Sequence, residues 1–175
     1  MTLSTRLITA AEQLFDRHGY MATGMDRLTQ AAGLSSRTLY KHAGSKAALM
    51  AQVLTERDRR FMRRIDVRNV DALFAALEDW VRAEGVRGCL FLRTNAETGG
   101  GTPEIAAAVE AHKAAFTARI ADIVALDLGG GGDADLADQI LVLFEGASHA
   151  AVYRGVGAVA SARAAAAVLV DRART

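Results

Sequence analysis

The stretch from Thr23 to His42 constrains this chain more than any other: two short amphipathic segments, Gly24-Met25-Asp26-Arg27-Leu28-Thr29-Gln30-Ala31-Ala32 and Ser35-Ser36-Arg37-Thr38-Leu39-Tyr40-Lys41-His42, pivot on Gly33. A glycine between helical segments this short marks a sharp bend, the shape of a helix-turn-helix. Thr23 is expected to N-cap the first segment with Asp26 at its third position, and Ser35 the second, each satisfying amide donors left free at a helix start. In such a pair the second helix enters the major groove with its N-terminal residues at base edges, while the first crosses the phosphate backbone.

Candidate DNA contacts follow from side-chain chemistry. The Arg37 fork matches guanine O6 and N7, and the hydroxyls of Ser36 and Thr38 suit bases or phosphates. Tyr40 can donate to a phosphate oxygen, Lys41 is a phosphate partner, and His42 and Arg27 complete the set, with Leu39 pointing inward. Lys46, just after Gly44-Ser45, combines its charge with the free amides of the next helix start and is a candidate phosphate clamp. Residues 1–64 hold 11 Lys/Arg against 5 Asp/Glu, net +6, whereas residues 65–175 hold 10 against 15, net −5. The basic part is therefore the helix-turn-helix part, as displacement of DNA counterions requires. Arg57, Arg59, Arg60, Arg63 and Arg64 are read first as a solvated helix face, with DNA contact the alternative.

The landmarks extend beyond the turn. A helical opening, Leu7-Ile8-Thr9-Ala10-Ala11-Glu12-Gln13-Leu14-Phe15, precedes His18-Gly19-Tyr20, then come Thr23, the helix pair with Thr38-Leu39-Tyr40-Lys41-His42, and Ser45-Lys46 before Leu49. From about Ser4 to beyond Leu54 this order resembles the TetR family of bacterial transcriptional regulators. Two departures stand out: Ala43 lies where the family usually has an aromatic residue, a loss of about 3 to 5 kcal/mol of packing unless neighbours compensate, and Ala47-Ala48 replace frequent acidic residues. The resemblance implies an all-α fold, with an N-terminal three-helix helix-turn-helix DNA-binding domain (4–64) and a helical-bundle regulatory and dimerisation domain (65–175). It further implies a ligand-responsive repressor that binds a palindromic operator in double-stranded DNA as a homodimer and leaves when a small-molecule effector binds. The alternative is a helix-turn-helix protein with no effector.

Composition agrees. A chain of 175 residues, 51% hydrophobic and with one proline, can bury a substantial core and is biased to helix. Leu7, Ile8, Ala11, Leu14 and Phe15 form one apolar stripe of helical period, and Met25, Leu28, Leu34, Leu39, Leu49, Met50, Val53 and Leu54 are expected to complete the core. The fourth helix is expected to run to about Ile65, a rigid lever between a distant effector and the recognition helix. No signal segment or apolar run of membrane-spanning length is visible, so a cytoplasmic protein without membrane contact is expected.

Beyond Asn69, helices are expected over about 71–84, 90–97, 103–126, 134–153 and 158–172, with Pro103 at a first-turn position and Gly129-Gly130-Gly131-Gly132 as a linker. Leu136, Ile140, Leu143, Phe144, Ala147 and Ala151, then Ala158, Ala162, Ala165, Ala166 and Leu169, form stripes suited to the four-helix dimer interface that the resemblance implies. An effector cavity would lie among the middle helices, with Phe74, Trp80, Phe91 and Phe116 as walls and Arg93, Asn95, His112 or His149 as polar contacts, although aromatics at helical spacing more often form core than pocket and a lone histidine is more often a hydrogen-bonded structural residue. Cys89, the sole cysteine, is read as a small buried hydrophobe rather than a redox sensor. The histidines show no metal-ligand spacing and the serines no nucleophile elbow, so neither an enzyme nor a cofactor is expected.

Overall fold

The structure, a computed structural model, describes residues 2–175. Among them it contains nine α-helices and no strand: α1 Leu3–His18, α2 Met25–Ala32, α3 Ser36–Ala43, α4 Lys46–Arg64, α5 Val70–Glu84, α6 Leu90–Thr98, α7 Pro103–Asp127, α8 Ala134–Arg154 and α9 Gly157–Ala173. The ends of the last five fall within one residue of the sequence expectation, because local chemistry sets them. Asn69 accepts from Ala72 N–H at 2.7 Å and Asp133 from Leu136 N–H at 2.9 Å, capping α5 and α8, and Pro103 opens α7. None of the described helices is long and apolar enough to cross a membrane.

Packing divides the chain differently from a single cut after residue 64. One compact unit holds the residues up to Arg59 together with Leu90–His112; the other holds Arg60–Cys89 and Lys113–Thr175. The chain therefore passes between units three times: within α4, at the start of α6 and within α7.

In the first unit, Leu7, Ala11 and Phe15 of α1, Leu28 and Ala32 of α2, Leu39 and Ala43 of α3, and Leu49, Met50, Val53 and Leu54 of α4 are buried. Ile8, Leu14, Met25 and Leu34, expected in the same core, are half-buried. Ala43 keeps the core position that the resemblance assigns to an aromatic side chain, and does so fully buried. Two expectations are corrected. Thr23 does not cap α2: Gly24 occupies that position with no side-chain cap, while the fully buried Thr23 hydroxyl donates backwards to Gly19 O at 2.7 Å. Arg57 is not solvated: it is 5% exposed and its Nη1 lies 2.8 Å from Glu12 Oε1 on α1, because its position on α4 falls on the inward face one turn after Val53 and Leu54.

The second unit is a bundle in which α8 packs on α9 and α5, and α5 on α9. Its centre is aromatic. Phe144 has ring centroids 5.0 Å from Phe116, 5.9 Å from Phe74 and 6.1 Å from Phe61, and Phe61 meets Trp80 edge-on at 5.4 Å. Asp127 at the end of α7 accepts from Val70 N–H at 2.8 Å and from Arg174, and Arg163 of α9 forks onto Asp71, so polar ties fasten the rim of this core. Of the stripes expected at a dimer face, Leu136, Ile140, Phe144, Ala147, Ala151, Ala158, Ala162 and Ala166 are buried inside this unit, where the small residues let α8, α9 and α5 approach closely, whereas Leu143, Ala165 and Leu169 are not buried. The exposed faces of α8 and α9 carry Val142, Tyr153 and Val168 instead. Phe144→Ala removes the ring shared by three aromatic partners and is expected to cost about 3 to 5 kcal/mol, read as a lowered denaturation midpoint in urea titrations followed by circular dichroism.

Candidate DNA-binding surface

α2 and α3 are each one residue over two turns long, and their presentation rests on how their ends are closed. Gly33 takes the left-handed conformation, φ 63° and ψ 41°, and Leu34 N–H returns to Thr29 O at 3.0 Å, the hydrogen-bonded closure that stops α2 and turns the chain. Arg6 of α1, which sequence reasoning passed over, reaches this corner: its Nη2 donates to Ala32 O at 3.4 Å, placing a cation at the carbonyl end of α2. Its partner is 26 residues away, a pairing that no local pattern announces. Ser35 then caps α3 as expected, accepting from Thr38 N–H at 3.2 Å.

With Leu39 and Ala43 inward, α3 turns Ser36, Arg37, Tyr40, Lys41 and His42 outward. The Tyr40 side chain is half exposed, which is unusual for a large aromatic residue and suits an external partner. Thr38 is half-buried, and its hydroxyl lies 2.9 Å from Ser35 Oγ, so it supports the cap. Arg27 is exposed on α2; desolvation, and then the charges of Arg27 and Arg17, hold His18 below its ordinary pKa.

Lys46 stands at the start of α4, where Ser45 Oγ accepts from Ala48 N–H at 2.9 Å. Its Nζ lies 4.4 Å from the centroid of the Tyr20 ring, a cation–π contact. Burial lowers its pKa, with the charge of Glu97 acting the other way. Tyr20 is buried and its phenol is pushed above the usual value, first by desolvation and then by Glu104.

The seven effector candidates fall in both units. In the first, Phe91 stacks on His112 at 3.7 Å with the rings nearly parallel, His112 Nδ1 donates to Asp58 Oδ1 at 2.7 Å, and Arg93 donates to Asp16 Oδ1 at 2.9 Å and Asp16 O at 2.8 Å; Asn95 is half-buried. Thr94, which sequence reasoning missed, buries its hydroxyl without a hydrogen-bond partner among the described residues, one turn along α6 from Phe91. In the second unit, Trp80 and Phe116 belong to the aromatic centre and His149 is exposed on α8. Among the described residues no group of three or more His, Cys, Asp or Glu is placed to hold a metal ion.

Residues 7–53 match the family model described as bacterial regulatory proteins, tetR family. The HTH-type transcriptional activator FasR of Mycolicibacterium smegmatis is 29% identical over 133 residues, a stretch covering 71% of this chain and 59% of FasR; the chain thus spans less than two thirds of that relative. A TetR-family regulator from Streptomyces coelicolor shares the fold with a TM-score of 0.89, covering 99% of this chain and 96% of that one at 23% identity. A TetR-type regulator from Streptomyces avermitilis aligns at 27% identity and a TM-score of 0.74, covering 95% of this chain and 99% of that one. Residues 7–53 thus carry the helix-turn-helix sequence of the TetR family of bacterial transcriptional regulators, and the chain over nearly its full length has the fold of TetR-family regulators.

Proposed function

We propose that this chain is a homodimeric regulator that occupies a palindromic operator and represses until a small-molecule effector lowers its affinity for DNA. The observation that carries the reading is the outward row on α3, Ser36, Arg37, Tyr40, Lys41 and His42, held by the Ser35 cap. One guanine-reading fork and several phosphate partners on a single exposed face suit a major groove, with Arg27 and Lys46 on flanking phosphates. It is proposed as a cytoplasmic regulator and not an enzyme.

Dimerisation is supported by exposed apolar surface. Val142 on α8 and Val168 on α9 are each 69% exposed, and with Leu143, Ala165 and Leu169 they line an open groove between the two helices. A two-fold pairing over this face would join two α3 helices in one assembly and make the second half-site contact effectively intramolecular. For effector binding, the support is the family together with the unsatisfied Thr94 hydroxyl on the α6 face that carries Phe91, which would take up a ligand's polar atom. Phe91, Arg93, Asn95 and His112 of the same unit are the proposed effector contacts. FasR bears the name of an activator, so repression is tested with a promoter reporter, where a lower signal on expressing this chain supports it.

Selection from random duplex DNA is expected to return a two-fold-symmetric motif; recovery without any motif would reject the operator reading. Arg37→Ala should cost about 1 to 3 kcal/mol at one base position and relax preference there, whereas Lys41→Ala should weaken all sequences alike and reduce the salt slope by about one. Val142→Glu combined with Val168→Glu should yield monomers by light scattering and weaken operator binding roughly a hundredfold.

A further inference from the structure

The charge contrast along the chain is not preserved by its packing. Residues 1–59 carry 8 Lys/Arg against 5 Asp/Glu, and the segment Leu90–His112 that shares their unit carries one arginine against three glutamates, Glu97, Glu104 and Glu110. The end of α6 thus brings carboxylate to the basic domain. Glu97 Oε2 accepts the Met21 backbone N–H at 2.8 Å, and its carboxylate lies so close to the α1–α2 corner that a Cβ on Gly19 would come within 3.0 Å of it. Four residues earlier on the same face of α6, Arg93 grips Asp16 by side chain and carbonyl, which fixes the register of Glu97 against that corner. The ring of Tyr20, the residue next to Met21 in that corner, carries Lys46 on its face.

A backbone N–H in an exposed corner and a lysine at a helix start are the donors that a DNA phosphate takes. Glu97 holds the first, and its charge is felt at the second. We infer that Glu97 is a built-in competitor of DNA phosphate, an intramolecular anion held by α6 against the Met21 amide beside Lys46. The inference rests on the proposal that this domain binds DNA with Lys46 at a phosphate. Duplex binding must then displace or repel one carboxylate, and any shift of α6 that withdraws Glu97 raises affinity for every sequence alike.

The test uses the full chain and a mixed-sequence duplex of about 30 base pairs, with affinity measured across a salt series for the native chain, Glu97→Gln, Lys46→Ala and the double variant. Glu97→Gln keeps an oxygen to accept from Met21 and removes only the charge. It is expected to tighten binding about three- to fivefold at low salt and to steepen the log–log salt slope by roughly 0.9, a gain that vanishes when Lys46 is alanine. Glu97→Ala, lacking the acceptor as well, should tighten in the same direction. If Lys46→Ala weakens binding while neither Glu97 variant tightens it at unchanged melting temperature, the inference falls and the DNA-binding proposal stands. An equal gain without Lys46 overturns the competition at that lysine. Failure of the native chain to bind the duplex overturns both.

Discussion

An isolated helix of two turns does not persist in water, since the cost of nucleation exceeds the return from so few hydrogen bonds. α3 is such a helix, and everything proposed for DNA depends on the burial of Leu39 and Ala43 that holds it in place. Its geometry is set from outside itself: by its packing on α2, by the left-handed Gly33 that ends α2, and by the Ser35 cap. Arg6 braces the same corner from α1. The outward residues of α3 are thereby freed from any structural duty and left to an external partner.

Buried charge is managed locally in the same unit. Arg57 meets Glu12, His112 meets Asp58, and Arg93 meets Asp16. Each such contact offsets a desolvation cost that an unmatched group would impose. They also fix orientation, since a charge-assisted hydrogen bond tolerates little displacement before it weakens. α6 is attached to α1 in this way, so the first unit includes a helix that lies far along the chain from the helix-turn-helix.

Legibility in the sequence followed the range of the interactions involved. Helix ends were readable because caps, prolines and glycines act over three or four residues: Asn69, Asp133 and Pro103 announced α5, α8 and α7. The α1 stripe and the inward Leu39 followed from helical period alone. Thr23 misled because its hydroxyl had two local choices, forward to cap α2 or back to Gly19, and burial favoured the second. Arg57 misled because a run of arginines looks solvated until the partner, 45 residues earlier, is known. Arg6 and Glu97 were invisible for the same reason, their partners being 26 and 76 residues distant. The stripes of α8 and α9 were seen as apolar, but period cannot say whether an apolar face meets its own chain or another.

The inward face of α9 is built from Ala158, Ala162 and Ala166, where any larger side chain would force its neighbours apart, while Val168 and Ala165 on the outer face touch nothing in the chain's own core. One helix thus separates two selective pressures. Its inner face is locked by fit, and its outer face can drift without harm to folding. If two copies pair over this face, as proposed, a bulge or charge there would block mixed pairs with other regulators of this architecture at no cost to the bundle beneath. Fidelity of a regulatory circuit, on this view, is written on the side of α9 that the fold does not need.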